Sequence, residues 1–233
     1  MASSSHGGKI ALFIIVALVG GFAGFGYFNQ TANLDAKAKE EAAKPGEPVV
    51  DRSLLAPKPN DIILGDVNAL ITVVEYSSLS CPHCANFHQT VLPALEKEFI
   101  TPGKVRLVVR HFPLNEPAIK AAEVVECAGS NGLKRESFLK VLFSMQPQWA
   151  FGDSFLKDLK QIALVGGMDS ATFDSCMADK ALETRILTTR QEAETQLNIN
   201  STPTFFINGD KMEGDVSIEN FRKALAGAGS GKK

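Results

Sequence analysis

Two cysteines two residues apart, in Cys81-Pro82-His83-Cys84, are the groups best placed to do chemistry in this 233-residue chain. Such a pair can cycle between dithiol and disulfide or supply half of a zinc site. Zinc needs two more ligands at close range. The other cysteines, Cys127 and Cys176, are far along the chain, and His83 lies between Cys81 and Cys84, where it cannot easily close the same tetrahedron. No metal is expected. The redox reading has a physical basis at each position. If a helix begins at Pro82, the Cys81 sulfur faces unsatisfied backbone N–H groups and the positive end of the helix dipole, which favour a thiolate. The ring of His83 can add a hydrogen bond or a positive charge. Thiols in such places have pKa values of about 3.5 to 7.5 against about 8.5 when free, roughly 1.4 to 7 kcal/mol of thiolate stabilisation. A stabilised reduced form makes the disulfide a stronger oxidant. Cys84, further into the helix, is expected to be buried and to act as the resolving thiol. An inert bridge closing so short a loop would contribute little stability.

The elements that must hold this motif can be read on either side of it. Ile71–Tyr76 is β-branched and short, a strand that runs through Ser and Leu into the helix at Cys81-Pro82. Phe87, Val91, Leu92, Leu95 and Phe99 fall on one helical face, with a kink expected at Pro93. After the turn at Pro102-Gly103, Val105–Arg110 reads as a second strand, which completes a β-α-β unit with parallel strands. Later, Thr204–Ile207, Asn208-Gly209 and Lys211–Glu213 spell a hairpin, followed by a helix over about 218–225. Between Phe112 and Pro203 the periodicity is helical, over approximately 117–128, 135–145, 155–165, 170–177 and 182–197. That exceeds one crossover helix. The fold class expected is therefore α/β, a sheet domain over 61–228 with an all-helical insert at about 113–200 and a short tail at 229–233. Trp149 and Phe151 are expected to pack that insert.

Ahead of the domain, Ile10–Phe28 is a run of 19 uncharged residues, roughly 29 Å as a helix against about 30 Å of hydrocarbon. Lys9 precedes it and no cation follows closely, which puts the N-terminus in the cytoplasm and exports the rest. Residues 1–28 thus read as a signal anchor or, alternatively, a cleaved signal peptide. Residues 29–60, rich in Ala, Lys, Glu and Pro, read as a linker without heptads, so a monomer is expected. With 24 basic against 26 acidic residues and no basic stretch interleaved with aromatics, nucleic acid is an improbable partner. An apolar fraction of 45% supports a sizeable core.

The stretch Val74–His88, containing Glu75 and Cys81-Pro82-His83-Cys84, together with Ser201-Thr202-Pro203-Thr204-Phe205-Phe206-Ile207-Asn208-Gly209, resembles the DsbA family of bacterial thiol:disulfide oxidoreductases. The resemblance spans about 61–225 and implies a thioredoxin-like fold whose cofactor is its own redox-active disulfide, Cys81–Cys84. It further implies a periplasmic dithiol oxidase that removes electrons from newly exported, cysteine-containing proteins and is reoxidised by a DsbB-type membrane oxidoreductase. Position by position, Cys81 becomes the solvent-exposed attacking thiol and Cys84 the resolving one. Pro203 becomes the cis-proline facing the disulfide, with the Thr202 backbone left free to pair with substrate. Glu75 becomes a buried acid that relays a proton to Cys84, although strand alternation also permits it to face solvent. Threonine at 202 also occurs in reductase-like and isomerase-like relatives, so that direction of flux stays open, as does, more remotely, a copper-delivery module. His88, one turn after Cys84, reads as a surface helix residue and is left outside the site. Cys127 and Cys176 remain as a second pair. A bridge would close a loop of about 50 residues, worth roughly 4 kcal/mol in the chain-entropy model; two buried free thiols or a second redox relay are the alternatives.

Overall fold

Four short runs rich in β-branched and aromatic residues and one polar return strand assemble into one mixed sheet of β1 (Ile62–Leu64), β2 (Ile71–Ser77), β3 (Val105–His111), β4 (Thr204–Ile207) and β5 (Asp210–Glu213), in the order β1-β3-β2-β4-β5. The computed structural model describes residues 52–59, 61–129, 132–213 and 216–229. The hydrophobic segment 10–28, the linker up to residue 51 and tail residues 230–233 lie outside these. Among the described residues no helix is long and apolar enough to cross a membrane.

β2 and β3 are parallel, with Glu75 opposite Val109, and the other three pairings are antiparallel. The hairpin turns on Asn208 (φ 48°) and Gly209 (φ 95°), both in the left-handed region that a two-residue turn between twisted strands requires. β1 has no counterpart in the sequence reading, because three residues carry too little periodicity to be seen. Residues 52–59, assigned by composition to the linker, belong to the domain: Leu55 is buried, and the Arg110 guanidinium donates to the carbonyls of Leu54 (2.6 Å) and Ala56 (2.7 Å). The same guanidinium forks onto both oxygens of Asp61, at 2.9 and 2.8 Å.

The first helical run, α1, spans 82–100. It alternates α-helical turns (Pro82–Asn86, Leu92–Leu95) with wider π turns (Phe87–Val91, Glu96–Ile100). Pro93 has no N–H to donate and its ring presses on the turn before it; the kink expected there is taken up as the wide turn at Phe87–Val91. The insert consists of α2 (Glu116–Cys127), α3 (Gly132–Ser144), α4 (Gln146–Trp149), α5 (Phe155–Val165), α6 (Ser170–Ala178) and α7 (Lys180–Gln196), and α8 (Ile218–Gly229) closes the chain. The short α4 was missed between two expected helices. Trp149 is fully buried as expected, whereas Phe151 is 63% exposed and packs nothing of the core.

Both faces of the sheet are covered. Val73, Leu107 and Phe205 face a large core shared with α1, α8 and the insert, while Val74, Tyr76, Val108 and Phe206 face a smaller one with Leu55, Ala193 and Leu197. Alternation along β2 therefore sends Glu75 to the side of Val73, beneath α1, with no solvent on either face.

Candidate functional site

Cys81 is the N-cap residue of α1, with extended backbone (φ −82°, ψ 121°) and Pro82 at the first helical position. A cap side chain faces the amides of the second and third helical residues, which here are His83 and Cys84. As a thiol, Cys81 makes no cap hydrogen bond to them, and its sulfur lies where a cap oxygen would. Cys81 is held at about pKa 5, against an ordinary 9.0. The largest cause is a hydrogen bond from the Cys84 thiol; burial opposes it, and the Thr202 side chain and the backbone N–H groups of Cys84 and His83 reinforce it. His83 and Pro82 are exposed, and the His83 amide acts on the Cys81 sulfur.

Cys84 has no exposure at all, and burial first, then its bond to Cys81 and the charge of Glu75, push its thiol well above the ordinary range. Both thiols are free in this structure. Cys81 is also less open than the resemblance implied: it is 6% exposed. The reason lies in the β2–β4 register, which pairs Tyr76 with Thr204 and so brings the turn before β4 alongside the end of β2. The Thr202–Pro203 peptide bond in that turn is cis, Pro203 is buried, and the Cys81 thiol donates to the Thr202 carbonyl at 3.3 Å. The Thr202 hydroxyl is buried without a partner in this thiol form. Once the sulfur ionises and can only accept, that hydroxyl is a donor beside it.

Behind Cys84 lies a buried carboxylate–imidazole pair. Glu75 is fully buried, and its two carboxylate oxygens approach Nε2 of His88 at 3.1 and 3.0 Å. The reading of His88 as a surface residue is overturned: its side chain is 2% exposed and stacks on Phe143 of α3, with ring centroids 4.1 Å apart. The signal was available, since His88 lies four residues after Cys84 and next to Phe87, but the insert helix that covers it could not be placed from periodicity. Gln146 is a second residue the sequence reading missed. Buried in α4, it donates Nε2 to the carbonyls of Leu79 (2.7 Å) and Cys81 (3.0 Å).

Cys127, at the end of α2, and Cys176, in α6, are joined by a disulfide with Cα atoms 6.2 Å apart. Among the described residues no group of three or more His, Cys, Asp or Glu is arranged to hold a metal ion.

Comparison with known proteins agrees with this geometry. A family profile described as thioredoxin matches residues 57–226. A provisionally named protein-disulfide oxidoreductase of Rickettsia typhi is 35% identical over 167 residues, 71% of this chain and 61% of its own. One from Rickettsia felis is 32% identical over 200 residues, covering 84% of this chain and 70% of its own. The chain thus spans about three fifths of the length of the first of these relatives. Among solved structures, Wolbachia pipientis alpha-DsbA1 superposes with a TM-score of 0.72 at 31% identity, covering 77% of this chain and 96% of that one.

Proposed function

The chain belongs to the thioredoxin family and, within it, to the DsbA group, and we propose that it is a thiol:disulfide oxidoreductase working as a dithiol oxidase on exported proteins. One observation carries the reading: Cys81 caps the amide end of the helix while Cys84, one turn further in, is fully buried, an arrangement that drives the first thiol down and the second up. At neutral pH the reduced site is then one thiolate and one thiol. A stabilised Cys81 thiolate is a good leaving group and makes the Cys81–Cys84 disulfide oxidising.

In the forward reaction a substrate thiolate attacks Cys81 Sγ. A substrate–Cys81 bond forms, the Cys81–Cys84 bond breaks, and its electron pair stays on the Cys84 sulfur, which takes up a proton. Glu75, buried and near enough for its charge to act on Cys84, is the group through which that proton is relayed from solvent. A second substrate thiolate then attacks the substrate sulfur, and Cys81 departs as the thiolate stabilised by the helix amides. The cis turn at Thr202-Pro203 presents its backbone beside the sulfur, where an extended substrate segment would lie. Substrates would be newly exported cysteine-containing proteins in the periplasm. Segment 10–28 would tether the domain, and a DsbB-type membrane oxidoreductase would restore the disulfide.

The test is the reduction potential of the full chain equilibrated in glutathione buffers, with Cys127 and Cys176 followed separately by thiol labelling. A value of about −120 to −150 mV supports the oxidase, and one near about −270 mV overturns it in favour of a reductase.

A further inference from the structure

Glu75 and His88 meet in a manner that restricts what each can do. Both carboxylate oxygens converge on a single ring nitrogen, Nε2, so that nitrogen must carry a hydrogen when the carboxylate is ionised. The other nitrogen, Nδ1, is buried and has no hydrogen-bond partner. An imidazolium would place an N–H there with nothing to accept it, whereas the neutral Nε2–H tautomer leaves only a bare acceptor. The ring is not free to turn and search: Phe143 stacks on one side at an interplanar angle of 21°, and Phe87 meets it edge-on at 5.3 Å. The titratable groups facing the pair are Cys84 from α1 and, from β3, His111, which burial pushes toward its neutral form. From α3 the neighbour is the Phe143 ring, and the Phe143 carbonyl is occupied by Gln89 at 2.9 Å.

A carboxyl with no exposure and no donor would remain protonated and could not accept a proton from a thiol. We propose that His88 is a positioning residue of the resolving step: as a fixed neutral donor it holds the Glu75 carboxylate ionised and oriented, so that Glu75 can take the proton of Cys84 and return it. This rests on the reading of Cys84 as the resolving cysteine. In resolution, the Cys84 proton passes to Glu75 and the Cys84 sulfur attacks Cys81 Sγ. The Cys81–Cys84 bond forms as the bond from Cys81 to its mixed-disulfide partner breaks, and the electron pair leaves on the partner's sulfur, which is protonated by solvent.

The experiment uses the full chain carrying glutathione on Cys81 and follows glutathione release from pH 5 to 9. His88→Leu, which cannot donate, is expected to shift the rise in rate to higher pH and to slow release about tenfold at pH 6, the worth of one hydrogen bond to a charged group. His88→Gln, which can donate, should restore most of the loss. Glu75→Gln should flatten the profile, and adding His88→Leu to it should cost nothing further. Ring-nitrogen NMR of the wild type should find His88 as the neutral Nε2–H tautomer in both redox states. A His88→Leu profile that keeps the wild-type midpoint at a uniformly lower rate, or an imidazolium at His88, overturns the inference. Cys84→Ser tells this failure from that of the underlying reading: if it retains the adduct the reading stands, and if it releases glutathione at the wild-type rate the reading itself falls.

Discussion

Gln146 and Cys81 are 65 residues apart, on the insert and on the sheet domain, yet the Gln146 amide donates to the Cys81 carbonyl at 3.0 Å. With its second hydrogen it holds the Leu79 carbonyl at 2.7 Å, so one side chain fixes the backbone on both sides of Ser80 just before the helix. The two acceptors are not equally dependent on it. Cys81 O also accepts from the Ala85 amide at 3.1 Å, in the ordinary helical manner. Gln146→Leu should therefore cost about 1–3 kcal/mol, chiefly the desolvated Leu79 carbonyl. Denaturant unfolding measures it. The same variant should raise the Cys81 midpoint, because a looser N-cap aims the His83 and Cys84 amides less well; thiolate absorbance against pH reads that directly.

The opposed thiols predict a pH dependence with a definite sign. Cys81 titrates near 5 in the folded reduced protein and near 9.0 when free of the fold. Its depressed value adds stability that is full above the unfolded value and is lost as pH falls through about 5. Cys84, pushed up by burial, is protonated in folded and unfolded chains alike below about 8 and adds no slope there. The reduced protein should thus gain stability between pH 5 and 8 relative to the oxidised one, in which neither sulfur titrates. Paired unfolding curves of the two redox forms at pH 4.5 and 7.5 test this, and an unchanged gap between them counts against the thiolate. Alkylation rates should show the same midpoint at Cys81, with Cys84 protected.

Much of the scaffold was legible because its elements are long or punctuated. β2 and β3 are runs of β-branched residues, and Asn208-Gly209 leaves little choice of turn. Cys81 and Cys84 could be assigned from a strand meeting a proline-started helix. The rest depended on what covers what. Alternation alone allowed Glu75 either face of β2; it is buried because helices cover both faces. His88 lies within a wide turn of α1, where 3.6-residue spacing no longer predicts direction, and its cover comes from Phe143, 55 residues away. Gln146 sits in a four-residue helix with no periodicity to find. For His83 the residue was legible in the motif, but the part played by its amide became visible only once Cys81 was seen to cap the helix.

Arg110 offers a test of the segment before the sheet. Its guanidinium is 3% exposed and satisfies Asp61, Tyr76 and the carbonyls of Leu54 and Ala56. Lysine keeps the charge but cannot reach five acceptors in a planar fork. Arg110→Lys should destabilise strongly, and Arg110→Ala, which leaves Asp61 uncompensated, by about 3–5 kcal/mol. Limited proteolysis should then cut first at 52–59, since that segment is held by the lost hydrogen bonds; cleavage elsewhere would show that its anchoring lies in Leu55 instead.

The Cys127–Cys176 bridge should matter for stability more than for the reactive thiolate. It joins residues 49 apart, and the chain-entropy model assigns such a loop about 4 kcal/mol. The measured loss for Cys127→Ala with Cys176→Ala should be smaller, because α2 and α6 remain packed through Ala122, Val125 and Phe173, and an unfolded chain with local structure gives back part of the entropy. The groups that lower Cys81 are Cys84, Thr202 and the amide of His83, and none lies in α2 or α6. The double variant should then unfold at lower denaturant while the Cys81 midpoint stays near 5. A midpoint displaced by a full pH unit would mean that the bridge acts on the reactive pair through the insert, by way of the Gln146 and Phe143 contacts, and would make the second disulfide part of the redox machinery.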